Sequence, residues 1–161
     1  MSTTEPNTYY DHADWHFESA LNAYLETENL PSDELTEDQV DEIMSRAAVH
    51  IGFFVAWLIK HHFEGRIHED FQEDLQAVRE ERMMGTEFLL KNCDGKFWSL
   101  DVRDDIVDFV NYYYVDIYLK DYPYWVMDEI CDLPFEFSWS WDDYHLIEPL
   151  IDKAYQAFIN S

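Results

Sequence analysis

Between Ala47 and Ile59 the chain is apolar except for His50 and Gly52. A helix built from such a run has no polar face to turn toward water, so it has to be enclosed. Thirteen residues fall short of the roughly 20 needed to cross a bilayer, so the run predicts a buried core helix. Thr36-x-x-Gln39 is a capping-box pattern and opens the helix that contains it. Val40, Ile43, Ala47, Ile51, Val55 and Leu58 recur at helical spacing, which predicts one long element from Thr36 to about His62.

The remaining helices are expected to wrap around this one. Asp14 suits the N-cap of a helix over Trp15 to Glu28, ended by Leu30-Pro31, with Pro31 to Leu35 as a loop. His68 to Met84 reads as a shorter helix broken at Gly85-Thr86. Glu87 to Cys93 fits either a helical turn pair or a strand, with Gly95 suited to the residue after a helix end. Ser99 or Asp101 starts a further helix to about Leu119, with Val102, Ile106, Phe109, Val110, Tyr113 and Ile117 inward. Tyr124 to Cys131 reads as a short helix. Phe135, Phe137, Trp139 and Trp141 alternate with polar residues over a strand-like stretch, and Asp142 to Ile159 reads as a helix that Pro149 should kink or split. The fold class is therefore all-α or mainly α. It is a single-domain helical bundle around a central apolar helix, with one short strand or irregular segment toward the C-terminus. Residues 1–13 read as a polar N-terminal segment, and 14–161 as the domain.

Charge narrows the function. The chain has 35 Asp and Glu against 10 Lys and Arg, a formal net charge of −25, yet 47% of it is hydrophobic. A disordered acidic tail would lack that apolar content. Such self-repulsion opposes compaction, so its retention points to a basic partner. Met1 to Ser45 contains no Lys or Arg at all. Asp33, Glu34, Glu37, Asp38, Asp41 and Glu42 form one acidic cluster. Asp101, Asp104, Asp105 and Asp108 form a second, a stripe at helical spacing where like charges cost roughly 0.2–0.5 kcal/mol per pair. These ten residues are the expected partner-binding set.

Other chemistries find less support. P-loop, G-x-S-x-G, H-E-x-x-H and G-x-G-x-x-G patterns are missing from the sequence. Cys93 and Cys131 form no C-x-x-C pair, and an acidic field disfavours their thiolates. His12, Asp14 and His16 form one histidine group; His61, His62, Glu64 and His68 form another. Neither has a recognised ligand spacing, so both read as surface or capping histidines, and no metal or other cofactor is expected. His50, inside the apolar run, reads as a hydrogen-bonded core histidine. Tyr112, Tyr113, Tyr114, Tyr118, Tyr122, Tyr124 and Trp125 would suit base stacking, but stacking proteins add a basic groove. The charge here argues against direct nucleic-acid binding and against an anionic membrane surface, so these aromatics are expected to divide between core and partner interface. The polar start, Met1 to Asn7, does not read as a secretory signal, so a cytoplasmic protein is expected.

Several stretches carry a family likeness. They are Asp14-Trp15-His16, His50-Ile51-Gly52 running on through Ala56-Trp57, and Arg82 with Gly85-Thr86-Glu87-Phe88-Leu89-Leu90. Asp94-Gly95-Lys96, Phe109-x-Asn111-x-Tyr113-Tyr114 and Asp121-Tyr122 complete them. Together they resemble a family of small acidic bacterial proteins often encoded beside secreted polymorphic toxins. The resemblance implies an immunity protein that neutralises a cognate toxin. A basic nuclease-like toxin domain is the expected partner, because a nuclease groove must be positive to hold phosphates. The alternatives are a nucleic-acid mimic that inhibits a DNA-binding protein and, from the histidines, a small metal-dependent enzyme.

Overall fold

The computed structural model describes residues 8–30 and 35–161. The chain opens with strand β1 (Tyr9–His12) and a 3₁₀ turn at Ala13–His16. Helices α1 (Phe17–Glu28), α2 (Glu37–Ala47) and α3 (Val49–Lys60) follow. A 3₁₀ stretch at Arg66–Phe71 leads into α4 (Gln72–Arg79), then α5 (Gly85–Asn92) and strand β2 (Lys96–Trp98). Two 3₁₀ turns, Ser99–Asp101 and Asp104–Ile106, precede α6 (Val107–Tyr113), a π turn at Tyr114–Tyr118, α7 (Leu119–Glu129) and α8 (Trp141–Ile159). The mainly α single domain is as expected.

Helix α3 is the centre: every residue from Val49 to Ile59 is buried. The element expected to run from Thr36 to His62 is two helices, bent by 59° between Ala47 and Val49. The capping box at its start forms as expected, with Gln39 N donating to Thr36 Oγ1 and Thr36 N to Gln39 Oε1. The bend lets α2 pack on α1 through Ala20, Tyr24, Ile43 and Ala47, while α3 turns into the main core. Among the described residues no single helix is long and apolar enough to cross a membrane.

Gly85 opens α5 against α3. A Cβ on Gly52 would stand 2.7 Å from both N and Cγ2 of Thr86, so these two backbones meet only because position 52 has no side chain. Trp57 Nε1 donates to Asp152 Oδ1 at 2.8 Å and ties α3 to α8. Of the kink or split expected at Pro149, the split does not occur: α8 runs as one helix through it. Phe135 to Ser140 forms no strand; bends and turns carry Phe137 and Trp139 onto Phe53.

Two further differences shape the site. The last residues of the segment read as a polar tail, Tyr9 to Ala13, belong to the domain, because β1 pairs antiparallel with β2 and Tyr10, Asp11 and Ala13 are buried. A register shift between Tyr9 and Asp11 breaks the pairing. In a regular strand neighbours point to opposite faces, whereas this bulge lets Tyr10 and Asp11 both turn inward. The helix expected from Ser99 or Asp101 to about Leu119 instead begins as two 3₁₀ turns and continues through the π turn. Val102, Ile106, Phe109, Val110 and Tyr113 are buried as expected. The wider π turn also brings Tyr114, Tyr118 and Tyr122 inside and leaves Ile117 half-buried. The loop expected at Pro31 to Leu35 falls almost wholly on residues 31–34, outside the described residues.

Candidate functional site

Three elements converge on the Asp11 carboxylate. The bulged β1 supplies Asp11, the 3₁₀ turn after it supplies His16, and α3 supplies His50. His16 Nε2 lies 2.5 Å from Oδ1, and His50 Nε2 lies 3.0 Å from Oδ2. The Tyr114 hydroxyl donates to Oδ2 at 2.8 Å, and the backbone N of His12 donates to Oδ1 at 2.8 Å. Burial pushes the Asp11 pKa up. The hydrogen bonds from His16 and His50, and the charges of those rings, outweigh it and hold the carboxyl well below its ordinary value.

A carboxylate only accepts, so His50 carries a proton on Nε2. Burial then drives the His50 pKa down against the opposing pull of Asp11, and the ring stays neutral. Its Nδ1 is a buried lone pair with no partner among the described residues. Tyr114 is pushed well above its ordinary value by burial and by the neighbouring Asp11, so it remains a donor. His16 and His50, stacked edge to face at 4.4 Å, form the polar wall of a cleft of about 190 Å³. Leu119, Tyr122, Pro123 and Phe135 supply its apolar walls.

A second cluster lies just beyond β2. His68 Nε2 is 2.9 Å from Asp101 Oδ1, the backbone N of Trp98 donates to Asp101 Oδ2 at 3.0 Å, and Cys93 Sγ is 4.0 Å from His68 Nε2. Burial, with Asp101 close by, pushes the Cys93 thiol far up. The ligating atoms of Asp11, His16 and His50 all lie within 4.8 Å of one another, as do those of His68, Cys93 and Asp101.

Residues 9–134 match the model of a domain of unknown function, DUF7832. The chain belongs to the DUF7832 family. No curated protein and no solved structure matches it. The matched span of this DUF7832 protein holds both buried clusters and the cleft, apart from its rim at Phe135. It stops short of α8, whose Tyr144, Ile147 and Ile151 nonetheless complete the core.

The eight described residues of the expected partner-binding set do not form two free surfaces. Asp33 and Glu34 lie outside the described residues. Glu37, Asp38 and Asp41 are exposed on α2, while Glu42 is held by Arg46 Nε at 3.0 Å and by the Ser138 hydroxyl at 2.6 Å. In the second group only Asp104, Asp105 and Asp108 are exposed. Arg103 grips Asp105 through both carboxylate oxygens, at 2.5 and 2.9 Å. Asp101 is a correction. It is 4% exposed and faces His68 rather than solvent, because the 3₁₀ turn that carries it folds back on β2.

The histidines divide in the same way. His50 is the hydrogen-bonded core histidine expected of it. His16 and His68, read as surface or capping residues, are instead partners of buried carboxylates. His12 does cap, accepting from Asp14 N at 3.0 Å. Of the tyrosines, Tyr113, Tyr114, Tyr118 and Tyr122 are core, whereas Tyr112 and Tyr124 are exposed. Asp11 was missed altogether. Its only sequence signal is a carboxylate between Tyr10 and Ala13 in a stretch without a Lys or Arg to pair with.

Proposed function

We propose that this DUF7832 protein is an immunity protein that binds and neutralises a basic, nuclease-like toxin domain through its acidic surface. The observation that carries the reading is where the positive charge has gone. Six of the ten Lys and Arg already pair with the chain's own carboxylates: Arg46 with Glu42, Lys60 with Glu81, Arg79 with Glu64, Arg82 with Glu80, Lys91 with Asp74 and Arg103 with Asp105. Most of the described carboxylates are exposed and pair with no Lys or Arg, and a cationic macromolecule is their natural complement.

Two exposed faces suit the role. The α1–α2 pair presents Glu26, Glu28, Glu37, Asp38 and Asp41 at helix ends that come together through Leu30 and Leu35. Helix α7 presents Asp121, Tyr124 and Asp128 along one line, with Tyr124 69% exposed. An exposed tyrosine between carboxylates supplies the apolar anchor that slows release, while the charges hasten encounter. The resemblance to proteins encoded beside polymorphic toxins supports the same reading. An inhibitor of this kind performs no chemistry of its own.

Capture of partners from the native host tests the proposal. The expected partner is a basic toxin domain whose association rate falls about 10-fold or more when Glu37, Asp38 and Asp41 are all changed to Lys, because steering of this kind is worth about 10–10³ in rate. An association rate unchanged by that triple reversal, and by the matching Asp121→Lys and Asp128→Lys pair, disposes of both faces. Recovery of a host DNA-binding protein in place of a toxin transfers the surface to the nucleic-acid-mimic reading.

A further inference from the structure

We propose that Asp11, His16 and His50 bind a divalent first-row transition metal, zinc above all, with one coordination position opening into the cleft beside α7. The site is independent of the acidic faces and of any partner they hold.

Four observations carry it. The donors are two imidazole nitrogens and one carboxylate oxygen. That set suits zinc and its neighbours, whereas magnesium and calcium take oxygen ligands. The donors come from three separate elements, a bulged strand, a 3₁₀ turn and the central helix, and they already converge within 4.8 Å. Two ligands each about 2.0–2.1 Å from a tetrahedral zinc stand about 3.4 Å apart. The present distances of 2.5 and 3.0 Å from the nitrogens to the Asp11 oxygens therefore leave little movement for the ion to complete the site. Asp11 is also oriented from behind, by the Tyr114 hydroxyl and the His12 backbone N, as ligating carboxylates are.

The fourth observation is the cleft. Sites that take a ligand hold the metal by three protein groups and keep one position open. Here two of the three ligands, His16 and His50, line a pocket whose other walls are apolar. The exchangeable position then holds water or a small molecule with one donor atom and an apolar body. Metal binding needs the Nε2 lone pairs of both His16 and His50, so the proton now on each Nε2 moves to Nδ1 or is released to solvent. No acceptor among the described residues stands at Nδ1 of His50. That places the affinity below that of zinc sites whose histidines are each backed by a carboxylate or carbonyl.

The second cluster provides the control. His68, Cys93 and Asp101 also group their ligating atoms, so zinc binding alone does not locate the ion. The full-length chain, stripped with a chelator, is titrated with zinc and with cobalt(II), following heat, cobalt absorbance and the melting temperature. One zinc per chain is expected, with a higher melting temperature and a cobalt spectrum that lacks a thiolate charge-transfer band. His16→Ala should lower zinc affinity by more than about 100-fold, since losing only an outer partner costs about 10–100-fold. Cys93→Ser should leave it unchanged. His16 lies at the rim of the cluster, and the metal-free melting temperature of His16→Ala reports whether the fold survives. Should that variant unfold, the wild-type cobalt spectrum and Cys93→Ser decide the matter without it. No binding of either ion to the wild type overturns the proposal. So does a thiolate band, or loss of binding in Cys93→Ser.

Discussion

The two buried clusters make the same bond in different surroundings. In each, a histidine Nε2 meets an aspartate that is almost fully enclosed, at 3.0 Å for His50 and Asp11 and at 2.9 Å for His68 and Asp101. In each, a backbone N–H also donates to the carboxylate, and the histidine Nδ1 has no partner among the described residues. The difference is in the third member and the outlook. Asp11 gathers a second imidazole and a phenol, and its histidines look onto a cleft. Among the described residues Asp101 adds no further donor to His68 and the Trp98 backbone, and it stands beside a thiol that does not titrate near neutrality. One carboxylate is thus a hub for four donors, and the other a clasp between β2 and the turn that contains His68.

Removing each carboxylate gives the largest expected effects and should separate hub from clasp. Asp11→Ala leaves His16, His50, the Tyr114 hydroxyl and the His12 N–H without their acceptor. Each buried donor left without its acceptor costs about 1–3 kcal/mol, and the partly exposed His16 less. Asp101→Ala strands two donors rather than four, so its loss should be about half as large. Denaturant midpoints with unchanged slopes would measure both. Equal losses would mean that Tyr114 and His16 add nothing at Asp11, and the distinction would fail.

A smaller effect sharpens the comparison through pH. Burial lowers the His50 pKa below its ordinary 6.5, so below that pH the unfolded chain takes up a proton that the folded chain refuses. Stability should therefore decline as pH falls from about 6.5 and level off once the folded ring also protonates. Asp11 acts in a separate window. Its folded pKa is depressed, so its contribution is intact above its ordinary 3.8 and is lost only in stronger acid. His50→Gln should flatten the upper slope and leave the lower one. A stability curve that keeps its upper slope in that variant would assign the effect to another histidine.

Which of these features the sequence discloses follows from the range of the interactions involved. The enclosure of α3, the capping box at Thr36 and the role of His50 depend on residues within a few turns of one another, and all were legible. The strand Tyr9–His12 was not. Its partner Lys96–Trp98 lies more than eighty residues away, and the bulge removes the period of two by which a strand is recognised. With that strand unread, Asp11 passed for part of a polar tail and His16 for a surface residue. Asp101 was misplaced for a related reason. Asp101, Asp104, Asp105 and Asp108 have helical spacing, but the backbone from Ser99 to Ile106 is two 3₁₀ turns joined by an extended Val102, so the spacing does not make a face.

The smallest expected effect concerns the thiol that stands where the hub has an imidazole. Cys93 is pushed far up by burial first and by Asp101 second, whereas Cys131, also raised chiefly by burial, lies in the turn after α7. Attack by a thiol requires its thiolate, so both should react slowly at neutral pH, Cys93 more so. Under native conditions a maleimide or disulfide reagent should label Cys131 first and leave Cys93 until the fold opens. Asp101→Asn removes the nearer carboxylate and should quicken Cys93 only modestly, because burial is the larger cause. A large acceleration in that variant would make the carboxylate the dominant influence, and the clasp would then act on the thiol as strongly as Asp11 acts on its histidines.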